Sequence, residues 1–349
     1  MSNETRNAAQ RKVEKRELKV TCIGGGTGLS TLLRGLKRIT SDVTAIVTVM
    51  DDGGGSGVLR DELGMPPPGD IRNCIQALSN AEPTIEMLMS YRFDTGVFKG
   101  QSFGNLFLAA INGISESFDK AVIKMGEVLS ITGRVLPVTN ADVRLVAEFE
   151  DGSRIEGESV IAQAKADKRC KIRRIDLLPS NVTALSESIE AIERAEMIIL
   201  GPGSLYTSII PNLLVGGVSK AILQSDAIRL YICNVMTQPG ETEGYTASEH
   251  IKALFTHARG KLFDYCLIND APAPKWILDK YVKDGALPVR EDEDAVRDLG
   301  VELIRAPVAF TMRDLARHDS DKLAREILNI FIDKSPTRLY GTSSANRGE

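Results

Sequence analysis

The sequence predicts an α/β fold: a mainly parallel sheet with helices on both faces and a small antiparallel insertion. Three observations carry this reading. Short apolar runs alternate with amphipathic helical patterns along most of the 349 residues, the alternation that builds parallel sheets through crossover helices. Several of those runs end in loops of glycine, serine and asparagine rather than in tight hairpin turns. One region alone, with Asp151-Gly152 between apolar stretches at 143–149 and 153–160, carries a hairpin signal.

In chain order, strands are expected at 18–23 and 43–50, then at 133–138, 143–149 and 153–160, and later at 196–200, 228–233, 265–268 and 300–305. Helices are expected at 28–38, where Leu29, Leu32, Leu33 and Leu36 share one face, and at 70–79, 83–91, 104–112 and 116–130. Further helical patterns run over 183–194, 245–258, 274–283 and 320–332. The antiparallel insertion is placed at about 133–178, inside a single domain spanning 18–333. Polar, charged segments at 1–17 and 334–349 read as flexible tails.

Composition narrows the class. A hydrophobic fraction of 43% and a charged fraction of 26% are those of an ordinary globular protein. The net charge of -4 argues against a general nucleic-acid-binding surface. Cys22, Cys74, Cys170, Cys233 and Cys266 are scattered, and the histidines are only His250, His257 and His318, so a zinc centre is not expected. The histidines fall on expected helices and read as solvated or core residues. Residues 1–17 lack the apolar stretch of a secretory signal. Residues 197–219 carry no formal charge, yet Gly201, Pro202, Gly203, Pro211, Gly216 and Gly217 break them into a strand, a loop and short helices. The expectation is a cytoplasmic protein without a membrane span or a nucleic-acid partner.

The candidate site lies in the loops. Gly24-Gly25-Gly26-Thr27-Gly28 follows the first strand and opens a helix. Backbone without side chains lets an anion approach, and a helix N-terminus offers it unpaired N–H groups. Leu29 stands where a dinucleotide fingerprint has its last glycine. Nicotinamide binding, another nucleotide or phosphate ligand, and simple turn glycines therefore all stay open. Asp51-Asp52-Gly53-Gly54 ends the second strand; its carboxylates could read a ribose hydroxyl, coordinate magnesium, or hydrogen-bond their own turn. In Pro66-Pro67-Pro68-Gly69-Asp70-Ile71-Arg72-Asn73, Asp70 is the expected helix cap, Arg72 a phosphate fork, and Asn73 a reader of base or sugar. Gly104-Asn105 repeats the device, with Asn105 either a cap or a polar contact. Gly201, Gly203, Ser204 and Thr207 form a second cradle, and Asn234 and Gln238 add amides from a third loop. In an open parallel sheet such loops gather at the carboxyl rim, where ligands bind. No nucleophile elbow or Walker lysine accompanies them.

Cys22-Ile23-Gly24-Gly25-Gly26-Thr27-Gly28-Leu29-Ser30, Asp51-Asp52-Gly53-Gly54, Leu59-Arg60-Asp61-Glu62-Leu63 and residues 66–73 resemble the bacterial YvcK-type gluconeogenesis factors, as do 201–214 and 234–242. That family belongs to the CofD-like superfamily, whose other branch holds the 2-phospho-L-lactate transferases of coenzyme F420 synthesis. The resemblance covers about 18–333. It implies a Rossmann-like core and a role in adapting growth, cell shape and envelope synthesis to gluconeogenic carbon sources. It further implies a ligand, UDP-N-acetylglucosamine, without an established reaction. Ser204-Leu205 replaces the transferase branch's Asn-Pro pair, which points away from deazaflavin chemistry. Carried over by position, the first loop holds the phosphates. Asp51, Asp52, Asp70, Arg72, Asn73 and Asn105 line the pocket, with Ser204, Thr207 and Gln238 opposite. Tyr281 and Arg305 clamp uridine or pyrophosphate. The alternative function is a magnesium-dependent transferase acting on a phosphorylated substrate. Protein partners in envelope synthesis and a homo-oligomer complete the expectations.

Overall fold

A seven-stranded sheet organises the chain in the computed structural model, which describes residues 17–167, 170–312 and 315–335. Strands β1 (Val20–Gly24), β2 (Val43–Val47) and β3 (Arg134–Pro137) run outward to one edge. The chain then returns to the middle, and β7 (Met197–Leu200), β8 (Ile228–Ile232), β9 (Tyr265–Asn269) and β10 (Glu302–Ala306) run outward to the other edge. Every neighbouring pair is parallel, and β1 lies between β2 and β7. The order of travel reverses between β1 and β7, the switch point at which open α/β sheets form a ligand crevice.

Burial explains why these runs become strands. All residues of β1, β2 and β7 are buried, as expected where helices cover both sheet faces. Helix α1 (Gly26–Leu36) buries Leu29, Leu32, Leu33 and Leu36. It packs on α3 (Gly69–Leu78) and on α14 (Ser320–Lys334). A second layer joins α8 (Ser186–Arg194), α9 (Ile210–Leu214), α10 (Val218–Gln224) and α11 (Ala247–Ala258). Among the remaining helices, α2 (Gly54–Leu63), α4 (Pro83–Ser90), α5 (Phe103–Gly113) and α6 (Phe118–Val128) lie between β2 and β3. Helices α12 (Lys275–Lys283) and α13 (Glu293–Asp298) precede β10.

A separate antiparallel sheet, β5-β4-β6, is built from β4 (Arg144–Phe149), β5 (Arg154–Glu156) and β6 (Ile172–Leu178). The hairpin at Asp151-Gly152 is present, but two boundaries differ from the sequence reading. Residues 134–137 pair in parallel with β2 and belong to the main sheet, so the antiparallel layer starts at Arg144. The second hairpin strand stops at Glu156, and α7 (Glu158–Asp167) begins where strand was expected. The buried Ile161 of that helix continues the apolar pattern of the strand before it, which periodicity alone does not separate. Strands β11 (Ala309–Met312) and β12 (Leu315–His318) form a further hairpin. The uncharged stretch 197–219 is indeed punctuated into β7, a π-helical turn (Leu205–Ile209), α9 and the start of α10. Among the described residues no helix is long and apolar enough to cross a membrane. The tails expected at 1–17 and 334–349 lie outside the described residues, except for Glu17, Lys334 and Ser335.

Candidate functional site

A cavity of about 560 Å³ occupies the switch point, within the size range of small-molecule sites. Its walls come from the loop after β1 (Gly25, Gly26, Thr27, Gly28), the loop after β7 (Gly203, Ser204, Ser208) and the loop after β8 (Asn234 to Pro239). The far wall holds Tyr281 and Asp284 at the end of α12, with Arg317 and His318 from β12. The convergence of three strand-ending loops at one rim is therefore present in the structure.

Helix α1 delivers its N-terminus to this cavity because Gly28 has no side chain. A Cβ there would stand 2.4 Å from the carbonyl oxygen of Pro202, so the first loop and the second cradle touch backbone to backbone. Gln238 Nε2 donates to Ser204 Oγ at 2.9 Å and ties the third loop to the second cradle. Behind the cradle, Asn212 Nδ2 donates to the Gly24 carbonyl at 3.0 Å and to that of Ser208 at 2.8 Å. The Tyr281 hydroxyl accepts from the Ala316 N–H at 3.1 Å, which fixes α12 against β12. His318 is buried, and burial lowers its pKa to about 4, so it stands neutral in the wall. Arg317 beside it is exposed and supplies a forked cation.

Protein carboxylates already hold part of the cradle. The Gly26 N–H hydrogen-bonds to the half-buried Asp70 carboxyl. Burial first, and then the charge of Asp51, lift its pKa to about 7, against the opposing pull of the Gly26 N–H and of Arg72. The Tyr206 N–H donates to Glu241 at 2.7 Å. The seats at Gly26 and Tyr206 are thus filled by protein carboxylates, while Thr27, Gly28 and Arg317 line the same cavity.

The structure brings Gly25, Gly26, Thr27, Gly28, Gly203, Ser204, Asn234, Gln238 and Tyr281 to the cavity wall. Gly24 and Gly201 sit just behind it, where the Gly201 N–H donates to the Ile23 carbonyl. Thr207 is buried in the π-helical turn. Other expected residues do different work. Asp70 does not cap its helix: Pro68 is the cap of α3, and the Asp70 carboxyl faces the first loop instead. Asn105 is not a cap either, since Ser102 accepts its N–H. Asn105 Oδ1 accepts from Arg72 Nε at 3.2 Å, and Gly104 packs against the Arg72 stem. Arg72 also donates to Gln76 at 3.2 Å, so with half-buried Asn73 it belongs to the seam between α3 and α5, outside the cavity wall.

The second loop departs furthest from expectation. Gly54 is the first residue of α2 rather than of an open loop, and Gly53 caps it. Asp51 Oδ1 accepts the Gly53 N–H at 2.8 Å, with Ser56 as a further partner. Asp52 Oδ1 accepts the Ser159 N–H at 2.7 Å, at the start of α7, and Gly157 lies against its other oxygen. The two carboxylates face different protein groups and do not present paired oxygens to one ion. Magnesium at this pair does not fit the arrangement. Arg305 is likewise elsewhere, on the edge strand β10, in ion pairs with Glu291 and Glu293.

Ser208, Asp284, Arg317 and His318 are wall residues that sequence reading did not select. Ser208 lay within a loop already singled out. For Arg317 and His318 the only signal is a forked cation beside an imidazole in a polar stretch, and His318 is on a strand rather than the expected helix.

The family model described as 2-phospho-L-lactate transferase CofD matches residues 20–309. A protein of Thermoanaerobacterium thermosulfurigenes is 54% identical over 313 residues, covering 90% of this chain and 97% of that one. The gluconeogenesis factor of Bacillus subtilis is 47% identical over 314 residues, 90% of this chain and 98% of its own. A crystal structure of a UPF0052-family protein from Bacillus halodurans superposes with a TM-score of 0.86 at 46% identity, covering 89% of this chain and all of that one.

Proposed function

The chain belongs to the CofD family, within the gluconeogenesis-factor group, and on that premise we propose that it is a cytoplasmic regulatory protein that binds a nucleotide sugar, with UDP-N-acetylglucosamine as the ligand. The observation that carries this reading is the composition of the switch-point cavity. It combines a helix N-terminus with hydroxyls, amides, an aromatic ring and one forked cation. A diphosphate suits Thr27, Gly28 and Arg317. The uracil or sugar finds Tyr281 for packing and Asn234 for hydrogen bonding.

Occupancy would act by population shift. A ligand that binds one arrangement of α12 and the β11–β12 hairpin better than another biases the surface that a protein partner reads. Partners in envelope synthesis, and an effect on growth and cell shape during gluconeogenic growth, are the expected downstream consequences. Calorimetric titration of the purified protein with UDP-N-acetylglucosamine tests the first step. Saturable binding at one site per chain is expected, and absence of binding at cellular nucleotide-sugar concentrations sinks the reading.

The match to the transferase model favours one alternative, transfer of a phosphate-containing group. Intact ligand after long incubation with magnesium and candidate acceptors counts against it; a new product formed from them supports it.

A further inference from the structure

At the amino-terminal ends of β1, β2 and β3 lies a second cavity of about 260 Å³, walled by Lys19, Thr21, Asp42, Thr44, Arg134 and Arg194. It opens at the opposite end of the sheet from the crevice, one strand length away, or roughly 16 Å along β1. We propose that this cavity is a binding site for a small phosphate-like dianion.

Three basic residues from three separate elements line it: Lys19 before β1, Arg134 at the start of β3 and Arg194 in the last turn of α8. Among the described residues none of the three has a carboxylate within ion-pair distance. Among the described residues Asp42 is the only acid in the wall. Nearby Glu196 accepts the backbone N–H of Lys19 at 3.2 Å. Arg194 has an ordinary reason to be basic, because a cation complements the partial negative charge of a helix C-terminus. Lys19 and Arg134 have no such reason. Like charges facing one recess repel each other, and a dianion between them removes that repulsion and gains their attraction.

The threonines of the recess hold its basic elements in place. Arg134 Nη2 donates to the buried Thr44 hydroxyl at 3.4 Å, which holds the guanidinium at the wall. The Thr21 hydroxyl is committed to the Ala191 carbonyl at 2.8 Å, so α8 is anchored where Arg194 leaves it. The volume falls below the usual span of about 300–1,000 Å³ for larger ligands. The occupant is therefore smaller than a nucleotide: inorganic phosphate, or the phosphate end of a short monoester. Strand β1 runs from this recess to the glycine loop of the crevice, which makes it the physical link through which one occupancy could affect the other.

Titration of the full-length protein with sodium phosphate, against sodium chloride at matched ionic strength, is expected to show saturable millimolar binding. Arg134→Gln combined with Arg194→Gln weakens it by at least about tenfold. Arg134→Lys combined with Arg194→Lys retains most of it, and Arg317→Gln in the crevice leaves it unchanged. If circular dichroism shows the glutamine pair misfolded, Lys19→Gln alone carries the test, with about threefold weaker binding expected. Wild-type protein that fails to bind phosphate overturns the proposal. So does binding that survives the folded glutamine pair, or that is abolished by Arg317→Gln instead.

Discussion

At the residue scale, Asp70 shows how much one half-buried carboxyl can do. It occupies the Gly26 N–H, faces Asp51, and has its pKa raised from 3.8 to about 7 chiefly by burial. Between those two values the folded chain keeps a proton that the unfolded chain has released. Stability therefore falls as pH rises through this window, and the penalty is complete above about pH 7. Its upper size is on the order of 4 kcal/mol. Asp70→Asn keeps an acceptor for Gly26 without the charge. Urea unfolding is expected to show the variant gaining about 1–3 kcal/mol over wild type at pH 8, and less than half of that at pH 5. Equal differences at both pH values would contradict this assignment. Arg317 and Arg305 make the complementary pair. Arg317→Ala is expected to weaken nucleotide-sugar binding by about tenfold or more, while Arg305→Ala breaks only ion pairs with Glu291 and Glu293 and leaves the affinity unchanged. Calorimetric titration of both variants separates the two roles.

At the element scale, α2 is the anchor of the antiparallel insertion. Asp52 caps the start of α7. Arg60, whose side chain is almost wholly buried, donates to Asp142 and to the Val143 carbonyl, and Arg144 reaches back to Asp61 at 3.4 Å. Asp52→Ala therefore removes a helix cap, at a cost of about 1 kcal/mol. Hydrogen exchange should rise over α7 and β5 and stay unchanged in β7 and β8. Faster exchange at the glycine loop instead would return Asp52 to the ligand site. The two-strand match at Asp151-Gly152 was legible because turn chemistry is local. Helix α2 was not, since Gly53, Gly54 and Gly55 read as an open loop. Helix propensity is a weak prior that packing overrides, and here Leu59 and Arg60 are buried. Gly28 closes the seam between the first loop and the loop after β7. Gly28→Ala is expected to destabilise the fold by about 1–3 kcal/mol by driving α1 off Pro202, read as a lower urea midpoint at unchanged m-value.

At the scale of the whole molecule, the crevice lies between the two halves of the sheet, so the proposed ligand is expected to stabilise the fold. UDP-N-acetylglucosamine at 100 times its Kd should raise stability by about 2.7 kcal/mol, seen as a concentration-dependent rise in Tm that uridine alone does not match. The sequence by itself determined the alternation of strands and helices, the glycine, serine and asparagine loops that follow them, and the family. All of these are local patterns, written in residues adjacent along the chain. Only the tertiary structure decided which polar residues share the cavity. It placed Arg317 and His318 there from a distant hairpin, and turned Asp52, Arg72 and Arg305 toward neighbouring protein groups. A side chain's partner is set by which elements pack against it, and that information lies between segments far apart in sequence.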